Sequence, residues 1–97
     1  MDTSKTFADS DVYVEELTTN GRLLIPEPYR IRLEIALGDK VEAQLCVLSS
    51  GKTLTDTFIV ISNHRIQLKK EALNSLGLSI DPLTPRQFVR VTLKKVG

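Results

Sequence analysis

Apolar and polar residues alternate along most of this chain, and the spacing shifts toward a helical one in two short places. "DVYVEELTT" puts Val12, Val14 and Leu17 in near-alternation and predicts a half-buried strand. Asn20-Gly21 is a hairpin signal, because both residues accept positive φ. "RLLIP" then returns as a short strand, with Leu23 and Ile25 on one face and Arg22 and Leu24 on the other. Pro26 and Pro28 end it and open a helix over roughly Glu27 to Ile35, since a missing N–H is harmless in a first helical turn. Tyr29, Leu33 and Ile35 supply that helix's apolar stripe. "LGDK" reads as a turn. In "VEAQLCVL" the residues Val41, Ala43, Leu45 and Val47 alternate against Glu42, Gln44 and Cys46, which predicts another strand.

The order then recurs. After a polar connector, "SSGKTLTD", come a strand in "TFIVI", a turn at "SNH" and a short strand in "RIQL". "KKEALNSL" predicts a short helix closed by Gly77 as a left-handed C-cap. "SIDPLTPRQ" is a longer turn, and in "FVRVTLKKV" Phe88, Arg90, Thr92 and Lys94 alternate against Val89, Val91 and Leu93. Residues 1–10 are polar and without period, so they read as a flexible arm.

Laid over one another, "NGRLLIPEPYRIRLEIALGD" and "NHRIQLKKEALNSLGLSID" align Asn20 with Asn63, Arg22 with Arg65, Leu23 with Ile66, Ile25 with Leu68, Leu33 with Leu76 and Ile35 with Leu78. The second copy carries extra residues, "PLTPR", before its last strand. The alternative is a chance likeness between two units of similar pattern. Each copy alone has three short strands and one helix, too little to close a core. Two copies can interlock, each covering the other's open strand edges. The expected organisation is an arm (1–10), a first motif (11–49), a connector (50–56) and a second motif (57–97), with 11–97 as one interlocked domain.

"NGRLLIPEPYRIRLEIALGDKVE" resembles the "kGRivIPkeiRekLgikpGDkvev" pattern of the swapped-hairpin AbrB-like superfamily, which includes the AbrB and SpoVT regulators, the MazE antitoxins and the MraZ proteins. The resemblance is carried by Gly21, Arg22, Ile25, Pro26, Arg30, Leu33, Gly38, Asp39 and Val41. The second copy keeps Arg65, Leu68, Leu76 and Asp81 but lacks the turn Gly, the Pro and the Gly-Asp pair. The chain has Thr18 where MraZ-like sequences tend to carry Asp. The resemblance implies a mainly β fold with short helices: a swapped-hairpin barrel from two tandem β-β-α-β repeats that binds DNA. It implies either a pseudo-two-fold barrel closed within one chain or pairing with a second chain; a homo-oligomer, most simply a dimer, is expected.

Composition sharpens this picture in places. At 97 residues the chain is one domain, or two very small intertwined units, near the size where oligomerisation often supplies missing core. An apolar content of 41% with 26% charged residues belongs to a globular rather than a disordered chain. The formal net charge of +1 is not that of a typical nucleic-acid binder, but Asp2, Asp9, Asp11, Glu15 and Glu16 gather near the N-terminus, away from the basic residues in sequence. A single Cys, Cys46, permits no intramolecular disulfide and suits a reducing compartment; it reads as a small buried hydrophobe. The N-terminus lacks a signal-peptide core, and no apolar run is long enough to span a membrane, so a cytoplasmic, nucleoid-associated protein is expected.

Among chemistry-bearing residues, His64 stands alone in a turn, a poor start for a metal site. No nucleophile motif supports a dyad of His64 with Cys46, and Gly51-Lys52 lacks the upstream Gly of a phosphate loop. Aromatics are too few for single-strand stacking platforms. No enzyme, cofactor or small-molecule substrate is expected. The candidate DNA contacts are Arg22, Arg30 and Arg32 from the first copy, with Arg65, Lys69 and Lys70 from the second. A guanidinium offers a fixed fork of donors suited to phosphate or guanine edges. The competing reading is ordinary surface charge, with Arg30 paired to Glu27 or Glu34 at helical spacing. Lys94 and Lys95 either add backbone contacts or keep the last strand soluble. The expected function is double-stranded DNA binding by a transcriptional regulator. The alternative is a protein-interaction or assembly module with the same barrel. An antitoxin-like partner is a related option, but this chain ends on a strand rather than a toxin-wrapping tail.

Overall fold

Alternation of period two produces strands where it is strongest, and the two helical patches produce helices. The computed structural model describes residues 12–81 and 83–96. In chain order the elements are β1 (Val12–Glu16), β2 (Arg22–Leu24), α1 (Glu27–Leu33), β3 (Lys40–Val47), β4 (Thr53–Ile59), a 3₁₀ turn (Ser62–His64), β5 (Arg65–Gln67), α2 (Lys70–Leu76) and β6 (Phe88–Lys95). The fold is mainly β and antiparallel. One sheet has the order β1-β6-β3-β4, and β2 pairs with β5 in a two-stranded ribbon.

One core joins these pieces. Val41, Ala43, Leu45 and Val47 of β3 and Val89, Val91 and Leu93 of β6 turn inward, as their alternation predicts. Leu23 and Ile25 meet them from the first half, and Ile66, Leu68, Leu73 and Leu76 from the second. Burying each large side chain contributes roughly 1.5–3 kcal/mol, so the shared core binds the halves together.

The pairings read the same from either half. β1 lies on β6 and β4 lies on β3, and the β3–β6 and β2–β5 pairs set equivalent strands side by side, so every strand pairing joins the two halves. In the ribbon Leu23 faces Ile66, its partner in the sequence alignment. Hydrogen bonds match as well. Leu68 N–H donates to Gly21 O at 2.8 Å, and Ile25 N–H to His64 O at 2.9 Å. Leu17 N–H donates to Gln87 O at 2.9 Å, and Val60 N–H to Asp39 O at 2.9 Å. Each helix is followed by a left-handed residue, Glu34 (φ 54°) after α1 and Gly77 (φ 67°) after α2.

The arm expected over residues 1–10 lies outside the described residues, and four other expectations are corrected. Asn20-Gly21 does form a tight turn, with Gly21 N–H donating to Thr18 O at 3.0 Å, but β1 and β2 do not form a hairpin ladder; their partners come from the other half. On β1 Tyr13 is buried and Val14 exposed, and Leu17 is buried just beyond the strand. Period two yields two faces without saying which is inward, and the register with β6, Tyr13 opposite Val91, decides it. The connector predicted over 50–56 is shorter, because β4 starts at Thr53 and pairs with β3. β4 is an edge strand whose Thr53, Thr55 and Thr57 face outward, so polar residues hid it. Cys46 sits half-buried on the outer face of the sheet rather than in the core.

Candidate nucleic-acid interface

The β2/β5 ribbon is where the candidate residues begin to converge. Its middle pair, Leu23 and Ile66, is fully buried, so the flanking pairs, Arg22 with Gln67 and Leu24 with Arg65, lie on the opposite face. Arg22 and Arg65 therefore share that face diagonally. Arg22 is anchored at both ends of the residue. Its backbone N–H donates to Thr18 Oγ1 at 3.0 Å, and its Nε donates to Gln67 Oε1 at 2.9 Å. Gln67 is fixed in turn, since its Nε2 donates to Asn20 O at 2.9 Å and Gly21 O at 3.2 Å. This leaves the far edge of the Arg22 guanidinium without a protein hydrogen bond among the described residues.

Arg65 is less available. Its Nε is buried without a hydrogen-bond partner, and it lies close enough to Glu15 to act on that carboxylate. Burial raises the Glu15 pKa above the ordinary carboxylate value; the Arg65 charge opposes the shift and the Glu16 charge adds to it. The remaining candidates are spread out. Arg30 donates from Nε to Ile25 O at 3.0 Å, a contact with the backbone just after β2 rather than the pairing with Glu27 or Glu34 of the competing reading. Arg32 lies 4.9 Å over the Tyr29 ring, on the outer side of α1. Lys69 and Lys70 are exposed at the start of α2 and line a shallow depression with Asn20 and Gln67. Gln67 thus connects the lysines to Arg22, while Arg30 and Arg32 sit on the other helix.

Gln67 and Thr18 are the residues that sequence reasoning missed. Gln67 falls at an outward position of "RIQL", but its partnership with Arg22 depends on the β2–β5 pairing, which crosses from one half to the other. His64 occupies the expected turn with φ 56°. No group of metal-ligating residues forms among the described residues. No helix there is long and apolar enough to cross a membrane.

No family model matches the chain, and no curated protein matches it in sequence. Among solved structures, the solution structure of PHS018 from Pyrococcus horikoshii is similar: 24% identity, a TM-score of 0.72, and coverage of 88% of this chain and 89% of that one. At that identity the likeness speaks for the fold.

Proposed function

We propose that the chain is a double-stranded DNA-binding regulator of AbrB-like type, in which two tandem swapped-hairpin motifs form one interlocked barrel and a homodimer is the working unit. The observation that carries this reading is Arg22: a guanidinium held by Thr18 and Gln67 on the outward face of a two-stranded ribbon, with its far edge open. A pre-set guanidinium loses little side-chain freedom on contacting a phosphate or guanine edge. The matched strand pairings and hydrogen bonds of the two halves support the tandem-motif part of the reading. Lys69 and Lys70 add positive charge beside the Asn20 turn and suit backbone phosphates.

The test is a fluorescence-anisotropy titration against mixed-sequence duplex at roughly 50 and 200 mM salt. Binding at the lower salt that weakens at least about tenfold at the higher is expected. Arg22→Ala should weaken it by about 1–3 kcal/mol. Absence of binding at low salt, or indifference to Arg22→Ala, overturns the proposal. A second reading, an assembly module or antitoxin-like partner with little DNA binding, draws support from the outer sheet face, where Val14, Leu48 and Phe88 are exposed near one end. It is favoured if the chain self-associates through that face while ignoring duplex.

A further inference from the structure

The two helices rest on their neighbouring strands in different ways. In the first half, Tyr29 of α1 packs its ring on Tyr13 of β1, with centroids 4.7 Å apart and planes at 39°. Its hydroxyl donates to the Val12 carbonyl at 3.0 Å. In the second half the third helical residue is Ala72 instead of Tyr29, and the β4 residue in the place of Tyr13 is Asp56. A methyl group and a short carboxylate cannot fill the volume of two phenols. A groove of about 460 Å³ remains between β4 and α2, lined by Phe58, Ile61, Ala72, Asp56, Glu71 and Lys69, with Gln67 at its end. That volume lies within the range usual for small-molecule sites.

The groove's chemistry is specific. Phe58 and Ile61 give it an apolar wall. Asp56 Oδ1 accepts only the Thr57 N–H, at 2.8 Å, and Lys69 and Glu71 make no ion pair or side-chain hydrogen bond among the described residues. Two carboxylates thus stand against one ammonium, an excess of negative charge beside a ring-sized space. We propose that this groove binds a small aromatic amine. The ring takes the place that Tyr29 fills in the other half, against Phe58, Ile61 and the Ala72 methyl, and the ammonium meets the Asp56 and Glu71 carboxylates. The groove adjoins the ribbon through Gln67, the residue that holds Arg22, but its binding chemistry does not depend on DNA.

Tyramine supplies the ring and the ammonium in one probe; p-cresol supplies the ring alone. Each is titrated into the full chain, without DNA, and followed by ¹⁵N–¹H NMR to roughly 10 mM, where a millimolar site saturates. Tyramine is expected to shift the amides of residues 56–61 and 67–72 saturably, with p-cresol binding several-fold more weakly. Ala72→Tyr, which builds the first half's ring into the groove, should abolish both titrations while leaving the β2 and β3 amides in place. Asp56→Asn and, on the exposed helix surface, Glu71→Gln should each weaken tyramine about three- to tenfold and p-cresol less than twofold. No saturable shift in the groove, or undiminished binding to Ala72→Tyr, overturns the site. Tyramine affinity unchanged by both carboxylate variants overturns the assignment of an amine.

Discussion

The interface between α1 and β1 and the interface between α2 and β4 hold the same position in the two halves, yet one is closed and the other open. In the first, Tyr13 and Tyr29 stack, and burial pushes the Tyr13 hydroxyl pKa well above the ordinary phenol value, with the Glu15 charge and Tyr29 adding to the shift. Tyr13 therefore stays neutral in this buried seam. In the second, Asp56 and Ala72 leave polar groups and open space. The comparison teaches that aromatics pack only one of the two helix–strand seams, and that the second, without them, keeps open the groove proposed above as a ligand site.

The sharpest way to break that comparison is to empty the filled seam. Tyr29→Ala removes an aromatic pair, a half-buried ring and the hydrogen bond to Val12 O. The ring is only partly buried, so a loss of about 2–3 kcal/mol is expected by urea denaturation, below the cost for a fully buried aromatic. A loss under about 1 kcal/mol would mean that the tyrosines are as dispensable as their counterparts, and the contrast between the seams would lose its meaning.

A second contrast is between Gly21 (φ 75°) and His64 (φ 56°), which precede β2 and β5 and accept the matched hydrogen bonds from Leu68 and Ile25. The backbone is left-handed at both, but only Gly21 avoids a Cβ penalty. His64→Gly should therefore stabilise the chain by up to about 1 kcal/mol. Gly21→Ala should cost about 1–2 kcal/mol, since it adds strain to a position where a new Cβ would lie 3.2 Å from Gln67 Nε2 and 3.4 Å from Leu68 O. Thermal melts of the two variants decide it, and shifts of the same sign would show that the two turns are not under the same constraint.

These contrasts also mark what the sequence made legible. The inward faces of β3 and β6, the helix opening at Pro26, the left-handed Gly77 and the outward placement of Arg22 could all be read locally, because period, proline and glycine act within a few residues. What could not be read depends on contacts between the halves. The face of β1 is set by β6, the pairing of Arg22 with Gln67 by the β2–β5 ribbon, and the start of β4 by its ladder with β3. Glu34, left-handed after α1, gave no glycine signal at all. Of the candidate site, Arg22 kept an open edge, whereas Arg30 turned back to Ile25 O and Arg65 sank toward Glu15. A one-dimensional reading ranks basic residues by type and spacing, and cannot see which of them the fold has already engaged.

The finest contrast is chemical. Asp39 Oδ2 accepts the Ala36 N–H at 2.8 Å, and in the second half Gln87 Oε1 accepts the Ser79 N–H at 3.1 Å. The same loop is thus tied by a carboxylate on one side and by a neutral amide on the other. The Ala36 N–H holds the Asp39 pKa below its ordinary value, Lys95 at 3.5 Å assists, and partial desolvation opposes them. A carboxylate whose folded pKa is lowered contributes fully above its unfolded pKa, near 3.9, and loses that contribution as pH falls through the folded value. Gln87 does not titrate. Asp39→Asn should therefore lower the melting temperature slightly at neutral pH, and the gap to wild type should close as the pH falls through the lowered folded-state pKa of Asp39. The part of the gap due to Lys95 should shrink with added salt, and the part due to the Ala36 N–H should persist. A gap that stays constant through that pKa would mean that Asp39 acts by shape alone, leaving the two loops chemically equivalent.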